Sequence, residues 1–305
     1  MQRRQFLKNG LVLTVLARTS SIYSKNLLSG NTKKLTILHT NDVHSHIEPF
    51  PDNHSKNPNM GGVARRATLI EKIRNEEKNV LLVDAGDIFQ GTPYFNYYGG
   101  ELEFKLMSMM KYDVATIGNH DFDNGLEGLY KQLPHATFDF VSANYDFSNT
   151  ILDGLIKPYK IIKKDGLKIG IFGLGVQLEG LVDKKLCKET KYLNPLEIAN
   201  ETAFYLKQHK KCNLVVCLSH LGFAYSNIPE RISDVKLAQQ SKNIDAIIGG
   251  HTHTFLEKPV IEYNLDNQPV VINQTGCFGI NLGRLDFYFS EENTITNSGR
   301  NIELF

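Results

Sequence analysis

The chain is short of several things whose absence narrows its chemistry. It has 4 cysteines in 305 residues, Cys187, Cys212, Cys217 and Cys277. No two stand at C-x-x-C spacing, which speaks against a zinc–thiolate site or a dithiol redox centre. The thiols read as buried and free, with a disulfide open only to an exported protein. Net charge is nearly absent: 34 lysines and arginines against 33 aspartates and glutamates leave +1. Nothing in the global field therefore points to nucleic acid or an acidic membrane, although charge local to a metal site need not follow the sum. Beyond the amino terminus no run approaches the ~20 apolar residues of a membrane span. There is no internal repeat and no low-complexity tract. What is there is 41% hydrophobic, enough for a globular protein to bury one large core or two modest ones.

Arg3-Arg4-Gln5-Phe6-Leu7-Lys8, followed by the mildly apolar Leu11 to Ala17, resembles a bacterial twin-arginine export signal. That reading makes residues 1–33 a signal region and the protein periplasmic, exported folded and already carrying any metal. No small-x-small cleavage site follows, which leaves the processing point between Ala17 and Lys33 and an uncleaved anchor as the alternative.

The rest of the chain alternates apolar runs of strand length with helical stripes. Lys34 to His39 alternates and delivers Asp42 and His44 to the loop beyond it, where residues two apart in extended chain point the same way. The loop from Ile47 to Met60 holds three prolines and three asparagines. Val63, Ala67, Ile70 and Ile73 form a helical stripe between Gly62 and Lys78. Asn79 to Val83 reads as a buried strand ending in Asp84-Ala85-Gly86-Asp87. Leu102, Leu106, Met109 and Met110 mark a helix over Glu101 to Met110, its methionines core packing rather than ligands. A strand from Asp113 to Ile117 leads into Gly118-Asn119-His120-Asp121-Phe122-Asp123, then a short helix from Gly125 to Leu133 closed by Pro134, then a strand from Asp139 to Ala143. Tyr159 to Lys163 and Leu167 to Gly173, joined by Lys164-Asp165-Gly166, read as a hairpin, so antiparallel pairing interrupts the alternation. Leu174 to Leu193 reads as a long loop with one helical turn, and Pro195 opens a helix that runs to His209. Asn213 to Leu218 and Asp245 to Ile248 are apolar strands ending at Ser219-His220 and at Gly249-Gly250-His251-Thr252-His253, with a helix over Val235 to Gln240 between them. Val270 to Gln274 and Gly279 to Phe289 close the sheet, and the polar residues 290–305 read as a peripheral tail.

Five strands thus end in metal-ligand residues: Asp42 and His44, Asp87, Asn119, His220, and His251 with His253. In open α/β sheets sites form at the carboxyl ends of strands, which puts all five clusters on one rim if the strands are parallel. Seven donors are too many for one tetrahedral ion and suit two ions sharing a carboxylate. Gly86, Gly118, Gly249 and Gly250 allow sharp turns where chain passes close to bound groups. Imidazole, carboxylate and amide without thiolate favour two divalent ions such as zinc, manganese, iron or nickel and do not choose among them. His39, His46, His54, His135 and His209 read as structural.

The set Asp42-x-His44, Gly86-Asp87, Gly118-Asn119-His120-Asp121, His220 and Gly250-His251-x-His253 resembles the signature of the calcineurin-like metallophosphoesterases. Leu38-His39-Thr40-Asn41-Asp42, Gly86-Asp87-Ile88-Phe89-Gln90-Gly91-Thr92 and Gly118-Asn119-His120-Asp121-Phe122-Asp123-Asn124-Gly125 are similar to the secreted 5′-nucleotidase branch. The resemblance implies an α/β fold, a four-layer α/β/β/α sandwich with two mixed sheets, and a catalytic domain over residues 34–289. It implies one metal held by Asp42, His44, Asp87 and His253, and another by Asp87, Asn119, His220 and His251. His120 would face the phosphate with Asp123 orienting its ring, and Asp121 would have no catalytic role. The activity implied is phosphate ester hydrolysis by a hydroxide between the two cations, with His120 serving the leaving oxygen. Family 5′-nucleotidases carry a second, carboxy-terminal domain that stacks the nucleoside base, and the resemblance here covers only the catalytic domain. The substrate expected is a nucleotide or related phosphate ester, with a separate nucleoside-binding domain protein as possible partner and Tyr94, Tyr97 and Tyr98 as base-stacking candidates weaker than ordinary packing. The alternatives are a metal-bearing subunit that binds a phosphorylated ligand without turnover, a broad phosphodiesterase or UDP-sugar hydrolase, and a thiosulfohydrolase.

Overall fold

The computed structural model describes residues 32–228, 230–290 and 295–305. The arginine pair and the apolar stretch of the export-signal reading lie outside the described residues. In chain order the elements are β1 (Lys33–Thr40), α1 (Val63–Glu76), β2 (Val80–Asp84), α2 (Pro93–Tyr98), α3 (Glu101–Met109), β3 (Val114–Ala115), α4 (Gly125–Gln132), β4 (Asp139–Phe140), β5 (Tyr145–Asp146), β6 (Tyr159–Lys164) and β7 (Leu167–Leu174). They continue with α5 (Lys184–Cys187), β8 (Lys191–Tyr192), α6 (Pro195–Phe204), β9 (Leu214–Ser219), α7 (Asp234–Gln240), β10 (Ala246–Gly249), β11 (Val260–Tyr263), β12 (Pro269–Asn273), β13 (Asn281–Phe289) and β14 (Ile295–Glu303). Two units are distinguished, a large one of residues 35–286 with 298–305 and a small one whose described residues are 32–34, 287–290 and 295–297. Of the small unit, the described residues include the start of β1, the end of β13 and the start of β14. Both hydrophobic cores are built from residues of the large one.

Two six-stranded sheets are formed among the described residues, in the orders β14-β13-β1-β2-β3-β4 and β11-β12-β10-β9-β7-β6. The centre of each is parallel: β1 with β2, β2 with β3, β7 with β9, β9 with β10 and β10 with β12. Antiparallel β6 and β11 flank the second sheet, so both the expected hairpin and the mixed character are present. Its turn has Asp165 at φ 51 and Gly166 at φ 79, the two left-handed positions of a two-residue hairpin.

The apolar runs follow from burial on both faces. On the outer face of the first sheet, Leu38, Leu82 and Ala115 pack with Ile70 and Ile73 of α1, Phe104 and Met107 of α3, and Leu126 and Leu129 of α4. On the second, Val215, Cys217, Ile247 and Ile272 pack with Ala199 and Ala203 of α6 and Leu237 and Ala238 of α7. The alternate residues Ile37, Leu81, Val83, Val216, Leu218 and Ile248 belong to neither cluster and are as deeply buried. They fill the space between the sheets, where Asn273 of β12 donates from Nδ2 to His39 Nε2 of β1 at 2.9 Å. The result is the four-layer α/β/β/α sandwich. Each such aliphatic side chain contributes about 1.5–3 kcal/mol by leaving water.

Three differences have local causes. β3 and β4 are two residues long rather than five, although hydrogen bonds continue past their ends from Thr116 N to Asp84 O and from Val141 N to Ala115 O. The helix after Pro195 widens to π turns over Tyr205–His209. Residues 295–303, expected within a peripheral tail, form the edge strand β14. Leu304 beyond it is buried, donating to Ile280 O and accepting from Gly61 N, and Asn301 Nδ2 donates to Leu256 O at 2.6 Å. Backbone and amide hydrogen bonds hold this segment, so its sequence carries no apolar alternation. All four cysteines are buried, free thiols, and among the described residues no helix is long and apolar enough to cross a membrane.

Candidate metal centre

The loops beyond β1, β2, β3, β9 and β10 meet at one rim shared by the two sheets. They are drawn together by backbone bonds, Asp42 N to Gly86 O at 2.9 Å, His44 N to Asp87 O at 3.0 Å and His220 N to Leu174 O at 2.7 Å. Asp42, His44, Asp87, His251 and His253 all have positive φ, between 50 and 72, a left-handed backbone that non-glycine residues adopt sparingly and that clusters at functional sites. The glycines are required by closeness. A Cβ on Gly118 would stand 2.2 Å from Asp87 Oδ1, and one on Gly250 2.8 Å from His220 Nδ1.

Two donor groups result, Asp42 with His44 and His253, and Asp87 with His220 and His251, and each could hold a metal ion. They adjoin, with His44 Nε2 3.7 Å from Asp87 Oδ2 and His220 Nε2 3.9 Å from Asp42 Oδ1. Asn119 Oδ1 lies 2.9 Å from His251 Nδ1. The rings are oriented from behind: His44 Nδ1 contacts Phe89 O at 3.2 Å and His220 Nδ1 contacts Ala85 O at 2.7 Å. Each Nδ1 therefore donates, so Nε2 is the nitrogen that faces the centre and offers its lone pair once it carries no proton.

These side chains fit a pair of cations. His220 Nε2 is wholly buried and lacks a hydrogen bond of proper geometry although Asp87 Oδ2 is 3.1 Å away. His44 Nε2 and His253 Nε2 face each other at 3.0 Å, so one of them must carry a proton unless a cation stands between them. The electrostatics agree. Burial disfavours charge on His220, yet Asp87 beside it raises its pKa to about 10. Burial likewise opposes charge on His253, and Asp42 more than offsets it, again to about 10. Burial holds His44 low, and burial with His220 nearby puts His251 at about 4. Burial alone would raise Asp87; the His220 and His44 imidazoles overcome it and keep the carboxyl below its ordinary range. The pocket thus demands positive charge, which two divalent ions supply in the form its oxygen and nitrogen donors prefer.

His120 and Asp123 stand at the rim as a pair. His120 Nδ1 meets Asp123 Oδ2 at 2.9 Å, and that hydrogen bond raises the imidazole pKa. The side chain is 38% exposed, and its backbone N donates to Asp87 Oδ1 at 2.8 Å. Tyr94, Tyr97 and Tyr98 do not join the centre: Tyr97 is 83% exposed and Tyr94 Oη donates to Glu48. A different aromatic wall, Phe278, His46 and Phe50, adjoins it, with the Phe278 ring 5.8 Å from His253 and 4.3 Å from His46.

Asp121, given no role by sequence reasoning, accepts four backbone N–H groups. Ile88 and Phe89 donate to Oδ1 at 2.9 and 3.1 Å, and Asp87 and Gly118 donate to Oδ2 at 3.1 and 2.8 Å. It clamps the β2 loop to the β3 loop. Asn41 does the same between sheets, its Oδ1 accepting from Thr275 N at 2.9 Å and its Nδ2 donating to Asp42 Oδ2 at 2.6 Å. The partners of Asp121 are all main chain, and half of those of Asn41 are, so no motif of side chains announces either.

Known proteins resemble this chain in sequence and fold. Residues 35–255 match the calcineurin-like phosphoesterase family. A snake venom 5′-nucleotidase of Crotalus adamanteus is 35% identical over 96% of this chain and 52% of its own length. The human 5′-nucleotidase is 35% identical over 88% of this chain and 49% of its own. The crystal structure of a 5′-nucleotidase precursor from Thermus thermophilus superposes with a TM-score of 0.81 at 33% identity, over 89% of this chain and 55% of that one. The chain spans about half the length of these relatives.

Proposed function

The chain belongs to the calcineurin-like phosphoesterase family, and from that premise we propose that it is a dinuclear-metal phosphohydrolase acting on phosphomonoesters of nucleotides or related esters. The observation that carries the reading is the convergence of two donor triads, each able to hold an ion, that adjoin at 3.7 and 3.9 Å. Asp42, His44, Asp87 and His253 would hold one divalent ion, and Asp87, Asn119, His220 and His251 the other. When bound, the ions would supply positive charge for phosphoryl oxygens and lower the pKa of a water. The protein's own part is positional. The backbone bonds above fix the donors before any ligand arrives, so little reorganisation accompanies binding. Asp123 takes one nitrogen of His120, fixes the ring and favours its protonated form, which leaves Nε2 to hold or deliver a proton at the leaving oxygen.

The test is hydrolysis, read by analysis of all products, of AMP, a UDP-sugar, a cyclic nucleotide and an aryl phosphate by metal-loaded protein, alone and with any separate protein resembling the second half of the relatives. Turnover of at least one is expected, and His120→Ala should lower kcat by about 10²–10⁴-fold with metal content unchanged. No turnover of any would leave the non-catalytic binding subunit, and release of sulfate from a thiosulfate ester supplied in a parallel assay would favour the thiosulfohydrolase. Export through a twin-arginine signal to the periplasm belongs to the same proposal, supported by Arg3-Arg4 and the apolar stretch that follows. Cell fractionation should find the protein outside the cytoplasm and find it retained when Arg3 and Arg4 are both replaced by lysine.

A further inference from the structure

A cleft of about 620 Å³, within the size range of small-molecule sites, is lined by Val176, Gln177, Tyr192, Asn194, Ile228 and Arg231 among others. None of these has a part in the chemistry above. The cleft lies beside the metal centre. Leu221, which follows His220, also lines it, and its carbonyl accepts from Tyr225 Oη at 2.6 Å. Gly222 has φ 94, and a Cβ there would stand 2.4 Å from Tyr225 Oη and 2.7 Å from Thr252 Cγ2, so the Tyr225 phenol lies against the turn that carries His251 and His253. On the Tyr225 ring stacks the Arg231 guanidinium, 4.6 Å from the centroid.

Arg231 is half-buried, and among the described residues no carboxylate pairs with it. Glu179 and Glu230, which also line the cleft, are exposed. A partly desolvated guanidinium held on an aromatic face, its fork unpaired, is suited to bidentate capture of a phosphate. We propose that Arg231 is a specificity-determining residue, and that this cleft takes the leaving-group side of a substrate carrying a second phosphate beyond the one that is hydrolysed. The proposal rests on the phosphohydrolase reading.

The experiment compares AMP with adenosine 3′,5′-bisphosphate on the metal-loaded full chain and its Arg231→Met and Arg231→Lys variants. Loss of one charge-assisted contact should raise KM for the bisphosphate about tenfold or more in Arg231→Met, with kcat and the KM for AMP within about twofold. Arg231→Lys should recover part of the loss. Calorimetric titration of both nucleotides into His120→Ala protein, with and without Arg231→Met, reads the same selectivity without turnover. Failure of the wild type to hydrolyse either nucleotide would sink the hydrolase reading, while the titration still judges Arg231. Equal weakening of both nucleotides, or no change in either, overturns the proposal.

Discussion

At the scale of single residues the centre depends on a side chain that touches neither substrate nor metal. Asp121 is buried and its two oxygens take the four N–H groups of Asp87, Ile88, Phe89 and Gly118. Those donors have no water to turn to, and a buried donor left unmet costs about 1–3 kcal/mol. Asp121→Asn keeps the size and replaces one acceptor oxygen by an amide nitrogen that cannot accept, so two contacts are lost. Metal-free protein should lose about 2–4 kcal/mol in a urea melt. Metal affinity should fall as well, since Asp87 sits on the loosened loop, as residues behind a ligand commonly show. An unchanged midpoint together with unchanged metal affinity would refute the clamp.

Among the elements, legibility tracks which face of each strand is buried. β1, β2, β7, β9, β10 and β12 lie between a helical layer and the opposing sheet, so their sequences are continuous apolar runs that announce themselves. Their ends announce the centre because a crowded rim needs left-handed turns, as at Gly86 and Asp87, and positions without a side chain, as at Gly250, where a Cβ would meet His220. β11 and β14 were not legible. Each has exposed residues at alternate positions, and Asn301 anchors β14 with an amide rather than an apolar side chain. α2 escaped for the same reason, a six-residue helix with Phe95 as its buried residue. Asp121 and Asn41 were hidden differently, because main-chain partners exist in every sequence and only folding brings them within reach. The same holds for Arg231, whose significance lies in what does not surround it.

For the molecule as a whole, the two sheets must be held face to face for the donors of each to meet, and the space between them contains a titratable group. His39 on β1 is fully buried and accepts from Asn273 on β12, with its Nδ1 unpartnered. Burial lowers its pKa from 6.5 to about 3. Between those values the unfolded chain binds a proton that the folded protein refuses, so stability falls as pH falls through this window, by about 1.4 kcal/mol per pH unit. Asp84 and Asp234 act in the opposite sense, since burial raises them to about 7 and about 8 and the folded state then binds protons more readily than the unfolded chain. The total pH profile therefore mixes the signs, and a difference isolates His39. His39→Gln retains an acceptor for Asn273 and cannot titrate. At equal metal concentration, the stability advantage of the wild type over His39→Gln should shrink by about 2 kcal/mol between pH 7 and pH 5, read from paired urea melts. A difference that stays constant with pH would mean that His39 either is protonated between the sheets or reaches solvent, and that the layer joining them is not as dry as its apolar neighbours imply.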